Sequence, residues 1–403
     1  MSNIIIVGGG ASGMFAAIKA KENNPQNNVT ILEAQSRVGR KLLSTGNGRC
    51  NLSNIGCSKS CYHGSFRKYI DTVYDICSVD RVLKEFSTLG LITIVEDEGR
   101  VYPISNHAGA VLDVLRFRLE SLGVKVDCDT RVNDISKNNN VFEVTTNNGV
   151  YNCDKLIVCS GSCASPKLGS DSGVLRILKN LGHCVTPLSP ALCPIRVKSN
   201  LLTSLKGVRV FGKVSLCDNE SLIKEEYGEI QFTDNSLSGI CVFNLSSVLK
   251  KAKRPVISID LLPYSDKKYI IKTLYKHKVL FGDMPIENLF TGIFVKKLGI
   301  AALKQAGITS FSRKTISITD EEVTAVAEVI KGWRFTALKS NDFTHAQVVS
   351  GGVAGGEINP YSMESTIIKN LYICGEVIDI DGDCGGYNLQ FAFASGIIAG
   401  ENV

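Results

Sequence analysis

The apolar run Ile4-Ile5-Ile6-Val7, followed without a break by Gly8-Gly9-Gly10-Ala11-Ser12-Gly13, constrains this chain more than any other feature. Four consecutive apolar residues suit a strand buried on both faces of a parallel sheet. The six that follow satisfy G-x-G-x-x-G, and a helical pattern runs on from about Ala11 to Glu22 until Asn23-Asn24-Pro25 stops it. A second apolar run, Val29-Thr30-Ile31-Leu32, ends in Glu33, twenty residues beyond Gly13. Strand, glycine loop, helix, strand and acid in this register form the dinucleotide-binding fingerprint. Gly8 serves the tight turn, Gly10 lets the backbone approach a pyrophosphate, and Gly13 lets helix and strand pack closely. Ala11 and Ser12 add first-turn N–H groups at the positive end of the helix, and Glu33 can accept hydrogen bonds from ribose hydroxyls.

The fingerprint serves both NAD and FAD, so the rest of the chain decides between them. Arg40 and Lys41, then Gly46-Asn47-Gly48-Arg49-Cys50-Asn51, supply cations and glycine-rich backbone that a cofactor extended over the sheet would use and a simple NAD dehydrogenase would not. Cys153 to Cys159 reads as another strand, closed by Ser160-Gly161-Ser162. Near the far end, the apolar run Leu371 to Cys374 is closed by Gly375-Glu376. An acid-rich loop from Asp379 to Asp383 follows, then Gly385-Gly386-Tyr387-Asn388-Leu389-Gln390 and a helix to about Ala399. Small residues at Ala392, Ser395, Gly396 and Ala399 give that helix a face able to approach a neighbour closely. The whole pattern predicts FAD bound by both ends of the chain.

Composition narrows the class. With 44% hydrophobic and 21% charged residues the chain reads as globular. No apolar run nears the ~20 residues a bilayer span needs, and Met1-Ser2-Asn3 leads straight into a strand rather than a leader. These features predict a cytoplasmic protein that makes no use of a membrane. The formal charge of +6 is modest for 403 residues, with no run of five like charges, so no nucleic-acid partner is expected. Fourteen cysteines include no Cys-x2-Cys pair, so neither a metal site nor a thioredoxin-like motif is expected.

These motifs, with Gly351-Gly352-Val353, Gly99-Arg100-Val101-Tyr102-Pro103 and Gly228-Glu229-Ile230-Gln231-Phe232-Thr233, resemble the BaiN-like flavoproteins. Those are NAD(P)/FAD-dependent oxidoreductases, some described as aminoacetone-oxidase-like. Ile240 after Ser238-Gly239 departs from the family, which carries proline there. The resemblance implies an α/β fold: a discontinuous Rossmann-type FAD-binding domain of the two-dinucleotide-binding flavoprotein type, a mostly β middle domain and a small helical insertion. The expected boundaries are 1–189 and 345–403 for the FAD domain, 190–264 and 307–344 for the middle domain, and 265–306 for the insertion. Short β-like runs between Pro190 and Pro263 agree, as does Thr319-Asp320-Glu321-Glu322, a capping box opening a helix that ends near Gly332. The resemblance also places Ala34 and Val132, with Arg49 and Tyr387, beside the cofactor.

The implied chemistry is hydride transfer at the flavin N5. No second G-x-G-x-x-G is present, because Gly351 to Gly356 has the wrong spacing, and no Cys-x4-Cys redox pair follows Glu33. Three functions fit. The leading one is NAD(P)H-dependent reduction of an unsaturated apolar small molecule, with NADH or NADPH as a transient donor; the second is an amine oxidase using oxygen; the third is a flavoprotein acting on RNA. The sequence names no catalytic acid or base: His345 and His107 are candidates, and a capping role is the simpler account of His107.

Overall fold

The computed structural model describes residues 1–339 and 342–403. Its chain forms two compact units, one built from Met1–Ala191 with Asp342–Val403, the other from Leu192–Asn341.

In the first unit the apolar runs form one parallel five-stranded sheet. Asn3–Val7 lies at its centre, flanked by Asn28–Leu32 and Lys155–Val158, with Lys125–Asp127 and Leu371–Ile373 at the edges. In chain order the sheet reads 5-4-1-2-3, the doubly wound arrangement, and the strand order reverses beside the first strand. Val7 pairs with both Leu32 and Val158, so the glycine loop leaves the sheet at that switch point.

The fingerprint helix Ala11–Asn23 is held there by close contact. A Cβ on Gly13 would sit 1.9 Å from the Gly8 carbonyl oxygen, and Gly8 takes φ +102° with Cys159 O just 2.6 Å from where its Cβ would be. The C-terminal helix Tyr387–Asn402 lies against the same helix through glycine. A Cβ on Gly396 would meet Ser12 O at 2.3 Å, and one on Gly400 would meet Ala16 O at 2.5 Å. Phe15, Phe86 and Phe393 seal the crossing as an edge-to-face cluster with centroids 4.9–5.5 Å apart.

Between the third and fourth sheet strands the chain makes a three-stranded meander, 132–138, 141–146 and 149–153. Both turns are two-residue hairpins, Asn139-Asn140 and Asn147-Asn148, with Asn139 at φ +57°.

The second unit is a closed six-stranded antiparallel barrel, in the order 195–198, 236–238, 221–232, 209–218, 255–260 and 333–337. The last strand closes it by pairing Ala337 with Val197. Alternation along Arg209–Asp218 turns Val214 and Leu216 inward, where they join Ile230, Phe232, Ile257, Ile259 and Trp333 in a buried core. Gly239 takes φ +113°, and Ile240 stands at the first helical position of Ile240–Ser246, where proline is favoured but not required. The helices Lys267–Leu280, Lys296–Gln305 and Asp320–Gly332 complete the unit, the last opened by the Thr319/Glu322 capping box. The α/β fold class read from the sequence is the one observed; the Asn-turned meander is the element that reading lacked.

The glycine contact between the two helices carries a prediction. Gly396→Ala should destabilise the protein by about 1–3 kcal/mol in urea unfolding, since a methyl has only backbone to push against. Gly356→Ala, where an added Cβ meets nothing within 4 Å, should change stability by no more than about 1 kcal/mol. Equal losses would contradict the packing account.

Candidate functional site

At the switch point, Gly10 caps the fingerprint helix with no side-chain hydrogen bond, and a Cβ there would meet nothing within 4 Å. The first-turn N–H groups have no acceptor within the helix, and the backbone at Gly10 is open to approach. Glu33 is fixed beside them: its Oε2 accepts from Gly9 N at 2.8 Å and its Oε1 from Gln35 N at 2.8 Å. Burial raises the carboxyl's pKa, while these backbone donors and Arg40 pull the other way.

The return segment closes on the same helix. Gly375 takes φ +66°, with Ser12 Oγ 2.8 Å from its would-be Cβ, and its N–H donates to Ser395 Oγ at 3.0 Å. Glu376 then accepts from Lys41 Nζ at 2.6 Å and from Val349 N at 2.9 Å, while Gly161, at φ +70°, lies alongside its carboxylate. Ser160 precedes that glycine, half-buried at the end of its strand.

A third contact joins the 45–54 segment to the start of the C-terminal helix. Gly46, Asn47, Gly48 and Cys50 all take φ between +55° and +86°, a left-handed run that turns the chain sharply. A Cβ on Gly386 would lie 2.4 Å from Ser53 O and 2.8 Å from Asn51 Oδ1. Ser53 Oγ donates to Gln390 Oε1 at 2.7 Å, and Asn54 Nδ2 donates to Gly385 O at 3.1 Å. Asn388 exchanges two 2.8 Å bonds with the backbone of Gly382, and Tyr62 Oη donates to Tyr387 O at 2.7 Å. Leu389 is half-buried beside them. Two buried polar atoms of these segments, Asn51 Oδ1 and Gln390 Nε2, have no partner among the described residues.

Several of the predicted residues have partners or places of their own in the scaffold. The Arg49 guanidinium bonds Glu96 and Asn106 and lies 4.0 Å over the Tyr102 ring, so it braces the loop. Arg40 bonds Gln35, Ala34 sits in the turn after Glu33, and Val132 opens the first meander strand opposite Thr146. His107 caps the helix Ala108–Ser121 by accepting from Gly109 N at 3.1 Å, and His345 is exposed. No local pattern pointed to two further histidines. His63 Nε2 lies 2.9 Å from Asp383 in the acid-rich loop. His183 is buried between Glu357 at 2.9 Å and Ser365 at 3.1 Å, and the Ser365 hydroxyl also accepts from Ile367 N and Ile368 N, so its proton goes to His183 Nε2. That network staples the return segment.

The doubly wound sheet, the fingerprint and the closing return segment define a class, the two-dinucleotide-binding flavoprotein oxidoreductases. The chain matches the HI0933-like protein Rossmann domain over residues 2–402 and belongs to that family. It is 34% identical to a 3-dehydro-bile acid delta(4,6)-reductase of Clostridium scindens, over 100% of this chain and 98% of that one. It is 26% identical to a ribosomal RNA dihydrouridine synthase of Escherichia coli, over 97% and 95%. Among solved structures, the 3-ketosteroid-delta4-(5alpha)-dehydrogenase of Rhodococcus jostii RHA1 shares the fold, with a TM-score of 0.50 at 12% identity, over 100% of this chain and 96% of that one. No helix among the described residues is long and apolar enough to cross a membrane.

Cys50 is fully buried, and that burial pushes its thiol up to about 12, outweighing a hydrogen bond with Thr45. At pH 8 only about one part in ten thousand would be thiolate, rising as pH climbs toward that value. Iodoacetamide at pH 8 should therefore label the exposed Cys184 in the native protein and reach Cys50 only after unfolding. Native labelling of Cys50 at the rate of Cys184 would mark it as a reactive thiol.

Proposed function

We propose that this chain holds FAD along the fingerprint, the 45–54 segment and the return segment, and reduces a carbon–carbon double bond conjugated to a carbonyl in a small unsaturated apolar molecule, drawing electrons from NADH or NADPH. The observation that carries the reading is the pair of buried polar atoms without a partner among the described residues, Asn51 Oδ1 and Gln390 Nε2, in the segments that meet at Gly386, together with the backbone left open at Gly10. Buried polar groups ordinarily have partners, so atoms left bare call for a polar ligand, and FAD offers pyrophosphate, ribose and ring edges to match.

In this reading the N–H groups of Gly10 to Gly13 hold the pyrophosphate, and Glu33 accepts from the adenosine ribose. Lys41 and Glu376, Gly46 to Asn51, and Ser160-Gly161 line the path of the cofactor. Gly386 to Gln390 present the positive end of the C-terminal helix to the ring edge on which negative charge gathers when the flavin is reduced. Bound FAD would supply two-electron hydride chemistry. The substrate reading rests on relatives: delta(4,6)-reductase and dihydrouridine synthase both name the saturation of a double bond. The second name also supports another carrier of that bond, the uracil ring in RNA.

Anaerobic mixing tests the reading. One nicotinamide should bleach the yellow protein, and a 4-en-3-one steroid should restore the colour while gaining two hydrogens. Bleaching by an amine with recovery only in air, and no consumption of the enone, would instead make the protein an oxidase. Glu33→Ala should weaken FAD binding by about 10- to 100-fold, the loss of a charge-assisted hydrogen bond; unchanged affinity would remove Glu33 from the site.

A further inference from the structure

The net charge of the whole chain conceals a sharp asymmetry. Residues 266–319 hold ten Lys and Arg against three Asp and Glu, while the remainder holds thirty-five against thirty-six. All of the excess positive charge therefore lies in one short stretch of the second unit.

Its acids are already engaged. Asp266 caps the helix Lys267–Leu280 by accepting from Tyr269 N at 2.7 Å. Glu287 holds Lys296 at 2.7 Å and Asp283 holds Lys314 at 2.7 Å, while two acids from outside the stretch, Glu328 at 2.8 Å and Glu322, hold Lys267 and Arg313. Lys268, Lys272 and Lys276 are exposed and have no acidic partner among the described residues. At 100° per residue these three share one helix face, each about 6 Å from the next along the axis, opposite the buried Ile270 and Leu274. Four residues before Lys268, Tyr264 is 83% exposed and stacks on Phe211, itself 51% exposed, with centroids 6.3 Å and planes 15° apart. An exposed, flat aromatic pair leading into a line of free lysines combines a base-stacking platform with a phosphate track.

We propose that this face, Phe211 and Tyr264 with Lys268, Lys272 and Lys276, docks RNA by stacking an unpaired base and following its backbone. The proposal rests on the uracil alternative for the carrier of the double bond and supplies the surface that alternative needs. An anionic membrane fits less well, because an interfacial helix must bury its apolar face in lipid, and here Ile270 and Leu274 are spent on the protein core.

The test uses the FAD-loaded full chain and a fluorescent RNA hairpin with a uridine-containing loop, titrated across a range of salt. Wild type should bind with a steep salt dependence. K268Q/K272Q/K276Q should reduce the slope of log affinity against log salt by about 2–3, at roughly 0.7–0.9 for each phosphate no longer neutralised. F211A/Y264A should weaken binding about 5-fold or more at unchanged slope. K59Q/K125Q/K206Q, which removes the same charge from lysines paired with Asp71, Asp127 and Asp234, should retain the wild-type slope. An equal drop in slope for the two lysine triples would overturn the proposal, as would no RNA binding, or binding to phosphatidylglycerol vesicles but not to RNA. Nicotinamide oxidation with the enone reads the flavin chemistry separately, so a failed docking face and a failed reductase reading give different results.

Discussion

The rest of the first unit depends on one steric fact: two helices from opposite ends of the chain meet at glycine. With Gly396 and Gly400 resting on the backbone oxygens of Ser12 and Ala16, the C-terminal helix lies closer to the fingerprint helix than any side chain would permit. That approach fixes where Gly375, Glu376 and Gly386 stand relative to Gly10 and Glu33. The helix ends cannot be set independently of the crossing, so the geometry of the candidate site follows from that packing. Charge then completes the join, because Lys41 and Glu376, 335 residues apart, meet at 2.6 Å.

Glycine acts differently in the 45–54 segment. There the left-handed run at Gly46, Asn47, Gly48 and Cys50 turns backbone toward Gly386, so that Asn51 Oδ1 and Ser53 O come close against that turn. Two of its polar side chains are drawn into the scaffold instead. Arg49 is held by Tyr102, Glu96 and Asn106, and Cys50 is buried, which keeps its thiol protonated. In the proposed reading, what the segment would offer FAD is shape and backbone more than charge.

Sequence alone carried the sheet, because buried parallel strands are continuous apolar runs and glycine spacing is read directly. It also carried the capping box at Thr319, a local pattern with a local cause. The meander was missed although Asn147-Asn148-Gly149 is a strong hairpin turn, since its strands are half polar and carry no continuous apolar run. The orientation of Arg49 was beyond reach because it depends on Tyr102 and Asn106, which only the fold brings near. So were the pairs His63–Asp383 and His183–Glu357, 320 and 174 residues apart in sequence. The modest charge total averages over a concentration of positive charge in residues 266–319.

The most direct test of the central claim, a cofactor clasped by both chain ends, is to purify the protein, record its visible spectrum, and quantify the flavin released on denaturation. The account predicts a yellow protein yielding about one FAD per chain, as a single preformed site would. A colourless protein that takes up no FAD on reconstitution would contradict it.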